Sequence, residues 1–260
     1  MTKVLYVSIV KHDIHGLKRT IESIKAQSYT PVQHFIINGG KDRETKEFLL
    51  DQNDQVQHIS SVDTGIYNAM NKWELAQGEF DLVCWLNAGD CLFSQSTTQK
   101  VVDDFEARGW SWLYGNMELV DDLGKPLSRH KQTPFIRRLF ELGVRWIPHQ
   151  ATYFEYTFLK QIGFYREDIG VGADQEFLMR AAKISSPLTL DEILVSFSAG
   201  GRHTSLKGWK RQRAWQKYRQ LNQRLIADSY VIDTVCLPFL LIFERIPLKL
   251  KNLLFFKFAY

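Results

Sequence analysis

The run Asp81-Leu82-Val83-Cys84-Trp85-Leu86 limits what this chain can fold into more than any other segment. After Asp81 it is wholly apolar, so a strand formed there must be covered on both faces, as in a sheet layered with helices. The polar turn Asn87-Ala88-Gly89-Asp90 follows at once and sets a carboxylate just beyond the strand's end. That is the edge at which open α/β sheets bind ligands, and a carboxylate there suits a metal-chelated phosphate.

The segments before it repeat one theme. Val4 to Val10 is a short β-rich run, and Gly16 to Gln27 follows with Leu17, Ile21 and Ile24 at helical spacing. His34 to Ile37 is a second strand, Asn38-Gly39-Gly40 a sharp turn, and Arg43 to Asp51 a second helix. Val56 to Ser60 reads as strand and Gly65 to Gln77 as helix, before the fourth strand at Asp81 to Leu86. Strands alternating with helices at this pitch predict a parallel sheet. Further on, the spacing predicts a helix over 97–108 capped by Ser96, a strand over 112–120, a helix over 134–142, a loop over 145–150 and a strand over 151–154. A helix over 173–184, a last strand over 188–197 and an amphipathic helix over 207–226 complete the pattern.

At 260 residues the chain is long enough to bury a substantial core. Its formal charge of +4 hides a division: residues 202–260 hold twelve Lys/Arg against three Asp/Glu, a net of +9, which leaves 21 against 26, or −5, to residues 1–201. Cys84, Cys91 and Cys236 are too few and too scattered for a disulfide framework or a zinc site, which fits a reducing cytoplasm. The first residues read as a strand, not a signal peptide, and the longest apolar run, Val235 to Phe243, falls short of the ~20 residues of a membrane-spanning helix. No GxGxxG follows the first strand, which disfavours a dinucleotide enzyme, and the acidic first part disfavours nucleic acid.

Four polar clusters stand out. Asp90 is placed to hold Mg²⁺ or Mn²⁺, which take oxygen ligands and are usually held by one or two carboxylates plus substrate phosphates; the plainer reading is a solvated Asp in a loop. Asp63 or Thr64 is placed to cap a helix on which Tyr67 and Asn71 share one face, either lining a nucleotide pocket or belonging to an ordinary capped helix. Asp174 and Glu176 open a helix after Gly170-Val171-Gly172, suited to a general base or to plain charge complementarity at a helix start. His149 with Gln150, and His203, are the remaining cluster; a lone histidine is more often a packing residue than a ligand.

With these residues in view, the chain resembles the inverting family 2 glycosyltransferases, in particular the colanic-acid and exopolysaccharide type. The blocks that carry the resemblance are KRTIESIKAQSY, FIINGGKDRETKEFL, DTGIYNAMNKWELAQGEF, WLNAGD, PHQATYF, GADQEFLMRAAK and LVSFSAGGRHTS, in order over about four-fifths of the chain. The resemblance implies a GT-A fold: a Rossmann-like, mainly parallel sheet flanked by helices, with residues 1–95 as nucleotide-sugar half, 96–205 as acceptor half and 206–260 as a helical basic and apolar tail. It further implies a nucleotide-sugar site at Val10, Asp13, Asn38, Asp63, Tyr67, Asn71, Asn87, Ala88 and Gly89. Asp90 matches the last carboxylate of the metal motif and Asp174 the catalytic base. His149, Gln150 and Glu176 are expected on the acceptor and leaving-group side, and His203 as a further metal ligand. Two positions depart from the pattern: Asn38 stands where relatives often carry Asp, and Asn87-Ala88-Gly89-Asp90 lacks the carboxylates common at the motif's first and third positions.

The expected function is transfer of a sugar from a nucleotide sugar, expected to be a uridine one, to a hydroxyl of a glycan or lipid-linked acceptor, with inversion and with Mn²⁺ or Mg²⁺, in surface or lipopolysaccharide synthesis. An accessory protein that binds nucleotide sugar without catalysis is the alternative that the depleted metal motif raises. The tail, with Trp215, Tyr218, Leu221 and Leu225 on one side of its helix and Lys249 and Lys251 beyond, suits an anionic membrane surface, so a peripheral place at the inner face of the plasma membrane is expected.

Overall fold

The computed structural model describes residues 1–52, 56–199 and 206–244. Two compact units are present, Met1–Phe135 with Ile147–His203, and Ile136–Trp146 with Thr204–Tyr260.

In the first unit β1 (Val4–Val10) leads through Asp13 into α1 (Ile14–Lys25). β2 (Val32–Asn38), α2 (Arg43–Leu50), β3 (Val56–Ser60), α3 (Ile66–Met70) with a 3-10 turn over Asn71–Leu75, and β4 (Leu82–Trp85) follow. Then come β5 (Cys91–Leu92), α4 (Thr97–Arg108), β6 (Trp112–Val120) and β7 (Pro126–His130). α5 (Arg137–Glu141) lies between them and the rest in sequence but clusters with the second unit. β8 (Thr152–Glu155), α6 (Tyr156–Ile162), α7 (Ala173–Ile184) and β9 (Leu188–Ser198) complete the first unit's elements.

The strands form one mixed sheet in the order β3-β2-β1-β4-β8-β6-β9-β5, with β7 paired to β6. β3, β2, β1 and β4 are parallel; β8 runs antiparallel to both β4 and β6, and β9 is parallel to β6. After β1 the chain steps outward to β2 and β3, then returns to place β4 on β1's other side. The strand order therefore reverses between β1 and β4, and such a switch point is where open sheets of this kind hold ligands.

The core explains the order. α1 turns Ile14, Leu17, Thr20, Ile21 and Ile24 inward, and Leu17 and Ile21 cluster with Val10, Ile36, Leu49 and Val56. Each such aliphatic side chain contributes about 1.5–3 kcal/mol by leaving water. Further along the sheet the filling is aromatic: Trp112 stacks on Phe154 at 5.8 Å between ring centres, and Trp85 meets Phe154 and Phe177 edge-on at 6.0 and 6.4 Å.

Several expected boundaries move. Asp13 starts α1 two residues ahead of Gly16, because its carboxylate accepts from the Gly16 N–H at 2.8 Å. Ser96 makes no side-chain cap on α4; the Thr97 hydroxyl instead accepts from the Ser94 N–H at 3.0 Å. The expected helix over 65–77 tightens after five residues into the 3-10 turn, and its cap is Gly65, without a side-chain bond from Asp63 or Thr64.

The second unit holds α5, α8 (Gly208–Leu221) and α9 (Tyr230–Glu244). Leu139 and Val144 pack with Leu237 and Leu240, and the Trp215 ring lies so near Gly143 that an added Cβ would sit 2.4 Å from it. Arg219, fully buried within α8, donates to both oxygens of the fully buried Asp233 at 2.8 and 2.6 Å. α8 ends at Leu221, short of the expected Ile226, and Leu225 lies beyond it. His203, Lys249 and Lys251 fall outside the described residues.

Candidate active site

Three loops leave the carboxyl ends of β1, β2 and β4 side by side. Backbone bonds stitch them: Gly39 N–H donates to Val10 O at 3.0 Å, Ala88 N–H to Ile9 O at 3.2 Å, and Ser61 N–H to Asn38 O at 3.0 Å. Val10 and Ala88 thus position backbone, and both pack with the aliphatic cluster.

Because β1 and β4 are neighbours, the residues just past them meet. Asp13 caps α1 and lies beside Gly89, where an added Cβ would be 3.7 Å from its Oδ2. Gly89 itself has φ +99, a left-handed conformation that side-chain-bearing residues rarely adopt. That turn brings Asp90 inward until it is 4% exposed, its Oδ1 accepting from the Ser198 N–H at 3.1 Å. The Thr20 hydroxyl braces the turn, accepting from Gly89 N–H at 3.0 Å and donating to the Asp90 carbonyl at 2.8 Å. Burial pushes the Asp90 carboxyl up to about 8; the Ser198 N–H works against this and the charge of Asp13 adds to it. Asn87 Oδ1 is buried with no protein partner. Asp90 therefore has a carboxylate neighbour in Asp13, which one reads only from the strand order; among the described residues no group of three or more His, Cys, Asp or Glu is placed to hold a metal ion.

The second loop holds Asn38, 1% exposed, whose Oδ1 accepts from Gly40 N–H at 2.8 Å. That bond fixes the amide's orientation and leaves Nδ2 without a protein partner. Asp63 folds over the same turn: a Cβ on Gly39 would fall 1.8 Å from its Oδ2, so no other residue fits there without displacing it. Lys11 approaches the other Asp63 oxygen at 3.5 Å. His12, at φ 59, makes a sharp turn out of β1 and sets its ring 3.0 Å from Asp42. Strained backbone of this kind collects at functional sites.

One helical turn beyond Asp63 the surroundings change. The Tyr67 hydroxyl donates to Asp174 Oδ1 at 3.0 Å, and Gln175 Nε2 donates to Asp174 Oδ2 at 3.1 Å. Asp174 occupies the first turn of α7, after Gly172 in the left-handed region. Behind it Tyr165 stacks on Phe177 at 4.3 Å and bonds His149 Nε2 at 2.5 Å. His149 is 2% exposed, and burial holds its pKa down to about 4 despite the pull of Asp174, so it is a neutral packing residue. The Gln150 carbonyl faces the Cys84 thiol at 3.5 Å.

Two expected site residues are engaged elsewhere. The Asn71 amide brackets the Tyr165 backbone, donating to its carbonyl at 3.0 Å and accepting from its N–H at 2.8 Å. Glu176, 1% exposed, binds Arg180 Nε through both oxygens at 3.1 Å, and Arg180 in turn holds the Ile162 and Phe164 carbonyls. Sequence reading missed Thr20, Ser198 and Gln175; their side chains or amides act through contacts 70 to 108 residues away in two of the three cases, and only Gln175 adjoined a residue already singled out.

Residues 8–165 match the sequence model of the family described as Glycosyl transferase family 2. An uncharacterised glycosyltransferase of Mycobacterium tuberculosis is 31% identical over 211 residues, covering 77% of this chain and 78% of the relative. Among solved structures, S. aureus TarS 1–349 in complex with UDP-GlcNAc aligns over 85% of this chain and 65% of its own, with TM-score 0.63 and 14% identity. The mannosyltransferase PcManGT from Pyrobaculum calidifontis, in complex with GDP-Man and Mn²⁺, aligns over 98% of this chain and 79% of its own, with TM-score 0.61 and 11% identity. At such identities the two structures establish the fold, which is of the GT-A kind. The sequence match over more than half the chain establishes kinship, and the protein belongs to glycosyl transferase family 2.

Proposed function

We propose that the first unit transfers a sugar from a uridine diphosphate sugar to a hydroxyl of a glycan or lipid-linked acceptor, with inversion at the anomeric carbon. The observation that carries this reading is the span from Asp63 to Tyr67. Its first residue lies against the Gly39 turn and its last holds Asp174, and four residues reach at most about 14 Å. A nucleotide sugar lying between the two ends would place its base near Asn38 and its anomeric carbon toward Asp174.

Each donor-side residue has a role in this reading. Asn38 Nδ2 has an unspent proton to give a base carbonyl and Asp63 an oxygen to accept a base N–H, the donor and acceptor order of uracil. Asp13 and Asp90 are two carboxylates in one neighbourhood and Asn87 Oδ1 is an orphan; these are the oxygens that would take Mg²⁺ or Mn²⁺ together with the donor's phosphates. When bound, such an ion would offset the charge growing on the departing diphosphate. Asp174 accepts the acceptor hydroxyl's proton while that oxygen bonds to the anomeric carbon and the bond to the diphosphate breaks.

The acceptor's nature is argued from the second unit. On α9, Val231, Val235, Phe239 and Ile242 are 62–70% exposed at spacings that form one stripe, while Leu237 and Leu240 face inward. Lys210, Arg213 and Lys217 are exposed on α8. No helix among the described residues is long and apolar enough to cross a membrane. An exposed apolar stripe on α9 and exposed cations on α8 suit instead the surface of an anionic leaflet, where each Lys or Arg contributes about 1 kcal/mol. Such docking would bring the site to a lipid-linked acceptor in surface polysaccharide synthesis.

The test is a panel of nucleotide sugars with Mn²⁺ or Mg²⁺, read by release of nucleoside diphosphate, with Asp90→Ala as control. Release from a uridine sugar that the variant loses is expected; release from none would overturn the reading. For docking, the chain should sediment with phosphatidylserine vesicles and Val235→Asp/Phe239→Asp should not, whereas equal sedimentation would remove the membrane.

A further inference from the structure

Tyr67 stands in the sequence as a residue facing the nucleotide, yet its hydroxyl is spent on Asp174. We propose that Tyr67 and Gln175 are positioning residues that clamp the two oxygens of the Asp174 carboxylate and keep it aimed. The inference rests on reading Asp174 as the base of the transfer.

The clamp is rigid on both sides. Gln175 cannot swing, because the same amide that donates to Asp174 Oδ2 also donates to the Ile147 carbonyl at 2.9 Å and accepts from its N–H at 3.2 Å. Tyr67 is held by its ring, which packs against Tyr165 at 5.7 Å between centres, and Tyr165 is in turn stacked on Phe177. Asp174 thus has a donor on each oxygen, and neither donor can leave without disturbing a packed neighbour.

The direction of the effect follows from what faces the carboxylate. Hydrogen bonds given to an ionised group favour that form and lower its proton affinity. His149 and Tyr165 also face Asp174, and burial holds both of them neutral at ordinary pH. Burial and the Asp174 charge together push the Tyr67 phenol well above its usual range, so it remains a donor throughout. Glu176, two residues on, is engaged with Arg180. A base with a donor on each oxygen is fixed toward the acceptor before the reaction begins, which is preorganisation of the kind that avoids rearrangement during reaction.

The test needs no acceptor. The side-chain carboxyl of Asp174 is followed by ¹³C NMR through a pH titration of the full-length protein, assigned by the signal lost in Asp174→Asn. In Tyr67→Phe, which keeps the ring and removes only the hydroxyl, the midpoint should rise by about one pH unit. Should that variant not fold, Gln175→Leu frees the other oxygen and should move the midpoint the same way. A midpoint unmoved in a folded variant overturns the inference and leaves Asp174 as base untouched. Conversely, undiminished release of nucleoside diphosphate by Asp174→Asn removes the base, and with it the purpose of the clamp, whatever the midpoint does.

Discussion

The two ends of the Asp63–Tyr67 segment meet opposite kinds of surroundings. At the Asp63 end, carboxylates and amides crowd together with polar atoms unspent: Asn38 Nδ2 and Asn87 Oδ1 are buried without partners, and Asp13 and Asp90 repel one another. At the Tyr67 end, Asp174 has both oxygens filled and His149 has Tyr165, with Trp85 Nε1 the exception. Unsatisfied buried groups normally cost about 1–3 kcal/mol each, so they persist where a ligand supplies what is missing. The first end leaves buried polar atoms unpartnered; at the second most are satisfied within the protein.

Substitutions can break this contrast in order of size. Asp174→Asn should lose about 3–5 kcal/mol of transition-state stabilisation, a 10²–10⁴-fold fall in turnover, while donor affinity measured by calorimetry stays as it was. Asp90→Ala should act the other way, erasing the metal-dependent part of nucleoside diphosphate affinity, at least tenfold or about 1.4 kcal/mol, and unchanged affinity with Mn²⁺ present would dissolve the contrast.

A pH effect comes next. Burial holds His34 down at about 3 and His149 at about 4, both below the ordinary value of 6.5. The unfolded chain therefore binds protons that the folded one refuses, so stability is lost as pH falls below about 6.5, by about 2 kcal/mol for each histidine at pH 5. Urea unfolding at pH 7 and pH 5 should show this fall, and His34→Gln should remove roughly half of these histidines' share. The smallest effect is Asn38→Ala, for which loss of one hydrogen bond predicts about 1 kcal/mol of uridine nucleotide affinity. Equal binding by the variant would mean that the orphaned amide serves something else.

Much of the first unit was legible because its signals are local. β1, β3, α4, β6 and α7 have the boundaries that their spacing predicts, and all but β3 bury a continuous face or run. β7 was invisible: its residues are exposed or nearly so, and a strand without a buried face leaves no alternation to read. β5 is two residues long, and α6 follows a strand with no break between them. The site divides similarly. Asp90 and Asp174 stand out in the sequence by their places after a strand and at a helix start, but the approach of Asp13 to Asp90 depends on β4 returning beside β1. Asp63 was expected as a helix cap; its carboxylate lies over Gly39 instead, a contact 24 positions away that helix rules do not contain. Asn71 shares Tyr67's helical face as expected, yet binds backbone.

The ends of the sheet bear on how the molecule behaves in a crowded solution. Among the described residues the strand order stops at β3, five residues long, and at β5, with only two. A long bare margin would offer rows of open N–H and C=O groups on which a second copy could extend the ladder. β3 is too short to template much, whereas β5 pairs with only two of the eleven residues of β9, so growth by strand addition would have to begin along β9 and not at β3.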